Sequence, residues 1–417
     1  MKRFRPAGVM AAALALALLW AGAAEAQQNE QQTSQGQQGF APSVSLMGSL
    51  GSNPERLAGD STRTNFFAAA VDLPFQLRSP RWSFDFNYRP TYQHYREDDT
   101  LTSLDHAGSF LLNGALSRRT RVVVEGDAYV SDELRGLDAT EIVLPRTRQI
   151  RGDLDAVLQQ QLGVRDTLEF SGRYERVAFP GGELIDSNTM DFGLGYSRAL
   201  SQHSTGTLSA SGRLARFASG NQVRSTTLTA GGRFQVARYT HFEVEGGVLW
   251  IQENQGTGWL TVEQPGFAVT AALDHSINRV GLRLRASRDM GTTNGLGRAT
   301  LRDRIVGSIR WGSNRWNLLG LAGYARNTGL DTIAQQSANV KTLTACGQGA
   351  VRFSRVLALV GTVLYAHQIG EFVAAQPITD TFRVSLGIRL QANGMPMSSA
   401  AGRARFSSIA RDARAAC

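Results

Sequence analysis

The residues with the clearest capacity for chemistry are charged side chains that recur two positions apart. Arg283 and Arg285 form one such pair, and Arg302 and Arg304 form a second. Side chains two apart point to the same face of a β-strand. Because the planar guanidinium fork binds carboxylates bidentately, a row of arginines on one face suits anionic or acid-bearing, hydroxyl-rich solutes.

Acidic residues follow the same spacing earlier in the chain. The acidic residues on the charged face are Glu125, Asp127, Asp153, Asp155, Glu169, Glu175 and Asp191. The basic residues on it are Arg283, Arg285, Arg302, Arg304, Arg310, Arg383 and Arg389. A face this charged is unsuited to a dry core, so we expect both groups to line water.

Short runs of alternating apolar and polar residues position these side chains. In one run, Trp82, Phe84, Phe86 and Tyr88 alternate with polar residues, which is the pattern of a half-buried strand. Eighteen candidate strands begin near residues 42, 64, 82, 105, 121, 148, 167, 188, 206, 225, 241, 266, 280, 299, 316, 339, 356 and 380. Strands of roughly 9–13 residues fit a tilted crossing of a bilayer.

The connections between these strands are alternately short, as at residues 78–81, and long, as at 132–145. Short turns on one side and longer loops on the other are typical of outer-membrane barrels. The sequence therefore predicts an all-β fold, a transmembrane antiparallel up-and-down β-barrel of about 18 strands, with 16 as the alternative. An even count places both ends of the barrel domain on the short-turn, periplasmic side.

Aromatic residues near strand ends support a membrane setting, because amphipathic rings settle where lipid head groups meet acyl chains. The residues expected in these aromatic girdles are Trp82, Trp250, Trp311, Trp316, Tyr174, Tyr196, Tyr324 and Tyr365. In a closed ring of eighteen strands the acidic and basic groups lie about seven strands apart, nearly opposite each other. Facing walls of opposite charge would select solutes by charge; alternatively, neighbouring charges pair and hold the wall together.

The chain ends predict export and two polar extensions. Residues 1–26 begin with basic residues, continue with an apolar stretch and end with small residues that suit a cleavage site. This pattern predicts a secretory signal peptide. A Gln-rich flexible segment is expected over 27–40, the barrel over 41–391 and a periplasmic tail over 392–417. The full chain carries a formal charge of +9, and an exported barrel makes nucleic acid an improbable partner.

Cysteine and histidine give little chemistry. Cys346 and Cys417 are the two cysteines, too few for a disulfide framework, and neither is expected to be functional. His94 and His106 flank an acidic loop that could be catalytic or bind a cation, but is more often simply solvated. With no nucleophile, metal or phosphate-binding motif, we expect no enzyme, no cofactor and no metal.

The alternating strands, the aromatic girdles and the closing segment 379–390 resemble bacterial outer-membrane porin-like barrels. The resemblance is greatest to the β-barrel porin families that often accompany exopolysaccharide export. It covers about residues 41–391 and transfers no site residues. One departure is that 27 residues follow Leu390, whereas barrels of this class usually end on an aromatic residue of the last strand.

These observations favour a channel for polar solutes, with a charged aqueous lumen, in the outer membrane of a Gram-negative cell. The partners expected are membrane lipid and polar or anionic solutes. The specific alternative is the outer-membrane pore of a polysaccharide secretion pathway, which would need a periplasmic partner. A structural or adhesive barrel is a further alternative, although short loops argue against it.

Overall fold

The computed structural model describes most of the barrel region. The described residues are 37–52, 62–96, 98–132, 146–181, 184–254, 259–261, 266–293, 297–313, 315–329, 339–370 and 378–392. The predicted signal peptide, most of the Gln-rich segment and almost all of the predicted tail lie outside these residues, so those three assignments stay predictions.

Eighteen antiparallel strands form a closed barrel. They are β1 (Ser43–Ser52), β2 (Arg63–Arg78), β3 (Trp82–Tyr95), β4 (Ser103–Ala115), β5 (Thr120–Ser131), β6 (Gln149–Gln161), β7 (Asp166–Ala178), β8 (Ser187–Ala199), β9 (Ser204–Phe217), β10 (Gln222–Ala237), β11 (Thr240–Asn254), β12 (Gly266–Ile277), β13 (Val280–Thr293), β14 (Arg298–Gly312), β15 (Trp316–Gly329), β16 (Asn339–Arg352), β17 (Leu357–Gly370) and β18 (Ile378–Gln391). Each strand pairs with its sequence neighbours, and β18 pairs with β1 to close the ring. The prediction of eighteen strands is confirmed.

Two short strands extend this wall. Gln37–Phe40 pairs with the end of β2, with Phe40 opposite Phe75. The cause is a difference in length: β2 has 16 residues and β1 has 10, so the surplus backbone of β2 needs another hydrogen-bonding partner. Within the described residues the wall thus begins at Gln37, before the predicted boundary at residue 41. Trp259–Thr261 pairs with the end of β11 in the same way.

The short turns follow local backbone chemistry. Ile277 and Val280 pair across a two-residue turn whose first residue, Asn278, has a φ of 49°. Asparagine tolerates this left-handed conformation better than most residues, so it suits a tight hairpin. The sequence marks this connection as one of the short ones, and the structure agrees.

The outer face of the barrel is apolar. On β11, Phe242, Val244, Val248 and Trp250 are each 36–38% exposed, whereas Leu249 on the other face is 2% exposed. Other large apolar side chains with 49–66% exposure on this face are Phe192, Leu208, Phe267, Leu284, Ile305 and Leu386. Covering the exposed part of such a side chain with an apolar medium stabilises it by about 1–2 kcal/mol, so this surface is suited to lipid. Within the described part of the chain, no helix is long and apolar enough to span a membrane.

Apolar packing inside the barrel is concentrated at the long-loop end. One cluster joins β9 to β14 and contains Ala215, Phe217, Val223, Leu249, Ile251, Ala268, Met290 and Ala299. Members of β13 and β14 reach members of β9 there, four or five strands away around the ring. The long-loop end of the β13–β14 hairpin therefore leans inward across the mouth of the barrel.

One cysteine lies in the described wall. Cys346 is on the inner face of β16 with Thr342 and Thr344, which are also buried, while Leu343 on the outer face is 43% exposed. Cys346 is disulfide-bonded. That neither cysteine is functional stays a prediction.

Candidate solute pathway in the lumen

A cavity of about 340 Å³ lies against the inner wall from β6 to β13. Its charged lining residues on the inner face include Asp155, Arg173, Asp191, Arg213, Glu245 and Asp289. Serine and threonine side chains complete the polar lining, at Ser171, Ser209, Ser211, Ser225, Thr227, Thr229 and Thr270. A site with charges of both signs and many hydroxyls can bind and orient a small polar solute.

The acidic side of this cavity is a cross-strand cluster on β6 and β7, which we call the acidic cluster: Arg151, Asp153, Asp155, Arg173 and Glu175. One guanidinium serves three carboxylates, because Arg173 lies 3.3 Å from Asp153, 3.8 Å from Asp155 and 3.1 Å from Glu175. Arg151 is 3.2 Å from Glu175. Three carboxylates against two arginines leave the cluster one charge negative.

The neighbouring strand adds further negative charge. Glu125 and Asp127 of β5 lie directly opposite Asp155 and Asp153 of β6. Like charges placed opposite each other on adjacent strands repel. Arg173 is cross-strand to Asp155 on the other side, so it offsets part of the repulsion in the β5–β7 wall.

A second cluster, of which Asp289 lines the cavity, has the reverse composition. We call Asp289, Arg302 and Arg304 the basic cluster. Asp289 of β13 is 3.1 Å from Arg302 and 3.3 Å from Arg304 of β14, and Arg304 also donates to Ser287 Oγ at 2.6 Å. Here one carboxylate serves two arginines, and the cluster is one charge positive.

Arg213 of β9 joins the two sides. It binds Asp191 bidentately, with Nε 2.5 Å and Nη2 3.0 Å from the two carboxylate oxygens. Its Nη1 donates to the carbonyl oxygen of Met290 on β13. This contact fixes the inward lean of the hairpin. It brings Asp289 into the same cavity as Arg173.

The hydroxyl-bearing wall lies between the two clusters. Ser209 and Thr229 share a hydrogen bond of 2.6 Å between adjacent strands. Thr207 donates to Glu245 at 3.1 Å. Such groups hold water or sugar hydroxyls without a fixed charge preference.

The remaining predicted pore-lining residues lie outside this cavity. Arg283 is 3.2 Å from Asp274, Glu169 accepts from Gln159 at 2.9 Å, and the guanidinium of Arg383 lies 4.8 Å from the ring centre of Phe66. Arg310 and Arg389 are half-buried on their strands. Their role in lining the solute path is untested and stays a proposal.

Arg285 differs from its neighbours. Its position on β13 is exposed, and the described residues provide it with no ion-pair partner. Arg283, Arg302 and Arg304 each have a carboxylate within 3.3 Å. Arg285 is therefore the member of the predicted arginine row whose charge is most available to a solute.

Arg213 and Asp289 are not among the residues predicted from the sequence, whereas alternation along β11 assigns Glu245 to the charged face with Glu243. Alternation along β9 could have assigned Arg213 to that face, because it shares the face with Ser211. No sequence signal gives the contact between Arg213 and Met290, since it depends on the lean of a hairpin four strands away.

The residues expected in the aromatic girdles lie near strand ends. Trp311 and Trp316 meet edge to face, 4.8 Å apart between ring centres. Tyr174, Tyr196 and Tyr365 each donate a hydrogen bond from the phenol oxygen, to Asn188, Asp166 and Asp380 respectively. Trp82, Trp250 and Tyr324 are 37–42% exposed. A ring with an exposed apolar body and a bound polar tip suits a lipid–water boundary.

The histidine loop does not assemble into a site among the described residues. His106 bonds Tyr88 at 2.7 Å, whereas its neighbour Asp105 is buried on the opposite face and accepts from Gln93 at 3.0 Å. His94 bonds Thr102 at 3.3 Å. Hydrogen bonds from Thr100 hold the pKa of Asp98 below its usual range. Within the described ranges, no group of three potential ligands could hold a metal.

Comparison with known proteins adds little to this picture. No protein-family model matches the chain, and no curated protein matches it significantly. Among solved structures, the outer membrane protein OpdK of Pseudomonas aeruginosa matches with a TM-score of 0.44 and 8% identity, covering 84% of this chain and 99% of that one.

Two further structures match at a similar level. Pseudomonas aeruginosa OccK2 (OpdF) in complex with glucuronate has a TM-score of 0.42 and 10% identity, covering 84% of this chain and 98% of that one. Acinetobacter baumannii OccAB3 has a TM-score of 0.42 and 10% identity, covering 84% and 99%. At these identities and TM-scores, what those proteins bind does not indicate what this chain binds.

Proposed function

We propose that this chain is an outer-membrane channel that passes small polar solutes through a charged aqueous lumen. The observation that carries the proposal is the contrast between the two faces of one closed wall. Apolar side chains cover the outside, while ion pairs and hydroxyls line a cavity inside. A closed barrel satisfies every strand edge, which is what a lipid environment requires.

The composition of the inner wall favours solutes that bear both hydroxyls and negative charge. The basic cluster and Arg285 offer guanidinium groups, which bind carboxylates as a planar fork. The hydroxyl-bearing wall accepts and donates hydrogen bonds without a charge requirement. The acidic cluster opposes simple anions and orients a solute that carries polar groups at both ends.

Liposome swelling with neutral sugars and sugar acids tests the channel. We expect both classes of sugar to enter, with the acid entering faster than a neutral sugar of the same size. Protein-free liposomes give the baseline, and the Arg285→Ala variant should lose the preference for the acid but keep sugar entry. Swelling no faster than the baseline would overturn the proposal.

The outer-membrane setting is part of this proposal and is supported by the apolar outer face. Export through a cleaved signal peptide remains a prediction, because residues 1–26 lie outside the described residues. The polysaccharide-export alternative and its periplasmic partner also remain predictions. Loss of secreted polysaccharide on deletion of the gene, with sugar entry into liposomes absent, would favour that alternative.

A further inference from the structure

A row of charged side chains crosses four neighbouring strands on the outer face of the barrel, near its long-loop end. We call it the outer row. Its members are Arg288 of β13, Asp303 of β14, Arg326 of β15 and Lys341 of β16, each directly opposite the next. Three cations and one carboxylate give the row a surplus of two positive charges.

The outer row faces away from the lumen. Arg326 follows Ala325 in the chain and Lys341 precedes Thr342, and both of these neighbours are 0% exposed on the inner face. Successive side chains of a strand point to opposite faces, and Arg326 and Lys341 are themselves exposed. Asp303 shares their face because it lies directly opposite Arg326.

The row lies at the depth of lipid head groups. Two residues nearer the short turns, Ile305, Tyr324 and Leu343 lie opposite one another and are 51%, 42% and 43% exposed. They belong to the apolar outer face, and Tyr324 is one of the expected girdle residues. Two residues of a strand span about 7 Å, so the row begins where the apolar band ends. Two residues nearer the long loops, Thr328 and Asn339 add neutral polar groups.

The positive charge of the row is only partly compensated. The carboxylate of Asp303 lies 3.6 Å from Nε of Arg288. Among the described residues, Arg326 makes one side-chain hydrogen bond, from Nε to Oδ1 of Asn339 at 3.3 Å, and Lys341 makes no ion pair. Like charges directly opposite each other on adjacent strands repel. A guanidinium and an ammonium thus meet on the surface without an anion between them.

These facing cations distinguish the row from other arginines on the same face. Arg176 of β7 and Arg216 of β9 are also exposed near the long-loop end, but each lies opposite Asn188 of β8. An amide oxygen can accept a hydrogen bond from a guanidinium, so the wall itself provides these arginines with a neutral partner. Arg326 and Lys341 face each other instead.

We propose that the outer row binds the phosphate of a phosphorylated glycolipid in the membrane leaflet on the long-loop side. The phosphate lies between Arg326 and Lys341, because a guanidinium fork and an ammonium both bind phosphate oxygens. The acyl chains cover the apolar band below, and the sugar hydroxyls meet Thr328 and Asn339 above. This order of apolar, basic and neutral polar levels matches a lipid with a sugar phosphate head group. The inference rests on the outer-membrane setting proposed above.

Titration of the detergent-purified protein with diphosphoryl lipid A tests the site, with bound lipid counted by native mass spectrometry. EDTA excludes bridging by divalent cations. We expect Arg326→Gln combined with Lys341→Gln to weaken binding by roughly tenfold, because two charge-assisted contacts to phosphate are lost. The control, Arg279→Gln combined with Arg315→Gln, removes the same charge from exposed short turns of the same sector and should bind like the wild type. Equal binding by all three proteins, or equal weakening in both variants, would overturn the proposal.

Three further ligands test what the row recognises. We expect dephosphorylated lipid A to bind the wild type about as weakly as diphosphoryl lipid A binds the double variant. Inorganic phosphate at the same concentration should not displace the lipid. Displacement by inorganic phosphate would show a site for free anions. Phosphatidylglycerol binding as tightly as lipid A would show a general phospholipid surface. Either result would contradict the glycolipid assignment.

Urea titration in neutral detergent without lipid tests whether the row lacks a counter-ion. Removing facing like charges relieves repulsion, so the variant with Arg326→Gln and Lys341→Gln should unfold at a urea midpoint no lower than that of the wild type. A lower midpoint would mean that the protein itself compensates this pair, and the proposal would fail.

These readouts do not use the channel. Glycolipid binding without solute entry into liposomes would contradict the proposed channel alone. Solute entry without glycolipid binding would contradict the glycolipid site alone.

Discussion

The acidic and basic clusters are built alike but with opposite surplus charge. In the acidic cluster one arginine, Arg173, holds three carboxylates. In the basic cluster one carboxylate, Asp289, holds two arginines. The cross-strand register determines the ion pairs of both clusters, because Arg173 lies opposite Asp155 and Asp289 lies opposite Arg302. In each cluster one residue of the minority charge, Arg173 or Asp289, contacts every residue of the majority charge.

The difference between the clusters distinguishes charges that hold the wall together from charges that are available to a solute. Removing the shared residue of a cluster takes one counter-ion away from several like charges at once, which is costly even in partly hydrated sites. Removing a majority residue changes the net charge of the cavity while pairing survives. Stability and ion selectivity should therefore respond differently at neighbouring positions.

The largest effect is expected for Arg173→Gln. Three carboxylates would lose their shared partner, and the β5–β7 wall would become strongly negative. We expect a loss of about 2 kcal/mol in the free energy of unfolding, below the value for a fully buried pair. Urea titration of the folded barrel measures it. Arg233→Gln is the matched control, because its ion pair with Glu243 at 2.6 Å is more exposed, with Arg233 62% accessible. Equal losses in the two variants would contradict this interpretation.

Asp289→Asn should have the second largest effect on the free energy of unfolding. It should also shift ion selectivity toward anions, whereas the loss of a positive charge in Arg173→Gln shifts it toward cations. Arg302 and Arg304 would lose their shared carboxylate, so the cavity gains one positive charge. A unit charge about 7 Å from a passing ion changes its energy by about 0.6 kcal/mol in water, or roughly threefold in the permeability ratio. Reversal potentials in a salt gradient should shift toward anions. A shift toward cations would contradict the assignment of the basic cluster.

The double variant Arg173→Gln with Asp289→Asn sharpens the comparison. The two charge changes cancel, so ion selectivity should return close to that of the wild type. The stability losses should add, because the two minority residues share no ion-pair partner. Urea titration and reversal potentials on the same protein separate these outcomes. Restored stability would show that the two clusters are coupled, contrary to this account.

The smallest effect on folding is expected for Arg285→Ala. This exposed arginine has no ion-pair partner among the described residues, so its removal should leave the urea midpoint unchanged while reducing anion permeability. Arg283→Ala is the comparison, because it leaves Asp274 without the partner that lies 3.2 Å away and should lower stability. If Arg285→Ala destabilises the barrel as much as Arg283→Ala does, the distinction between structural and available arginines is wrong.

Much of the fold follows from local sequence. The alternation of apolar and polar residues predicts the strand positions and the two faces, because successive side chains of a strand point in turn toward lipid and toward water. Asp303 is an exception to the alternation, because this charged residue shares the outer face with the apolar Leu301 and Ile305. The structure pairs it with Arg288 at 3.6 Å. That arginine also lies over Phe267, 4.3 Å from the ring centre.

The cavity was less predictable than the wall. Strand parity assigns Arg302 and Arg304 to the inner face, but their partner Asp289 depends on the register between β13 and β14. The inward lean of that hairpin depends on contacts among residues far apart in sequence, such as Arg213 and Met290. Long-range packing of this kind leaves no periodic signal in the chain.

The central claim is that one sealed wall has lipid on one side and water on the other. Cysteine labelling along β11 tests it most directly, in a background that carries Cys346→Ser and Cys417→Ser. Single cysteines replace Glu243, Val244, Glu245 and Val248 in turn, and the protein is inserted in liposomes. We expect a charged, water-soluble thiol reagent to label positions 243 and 245 but not 244 and 248. Uniform labelling of all four positions, or labelling of 244 and 248 alone, would contradict it.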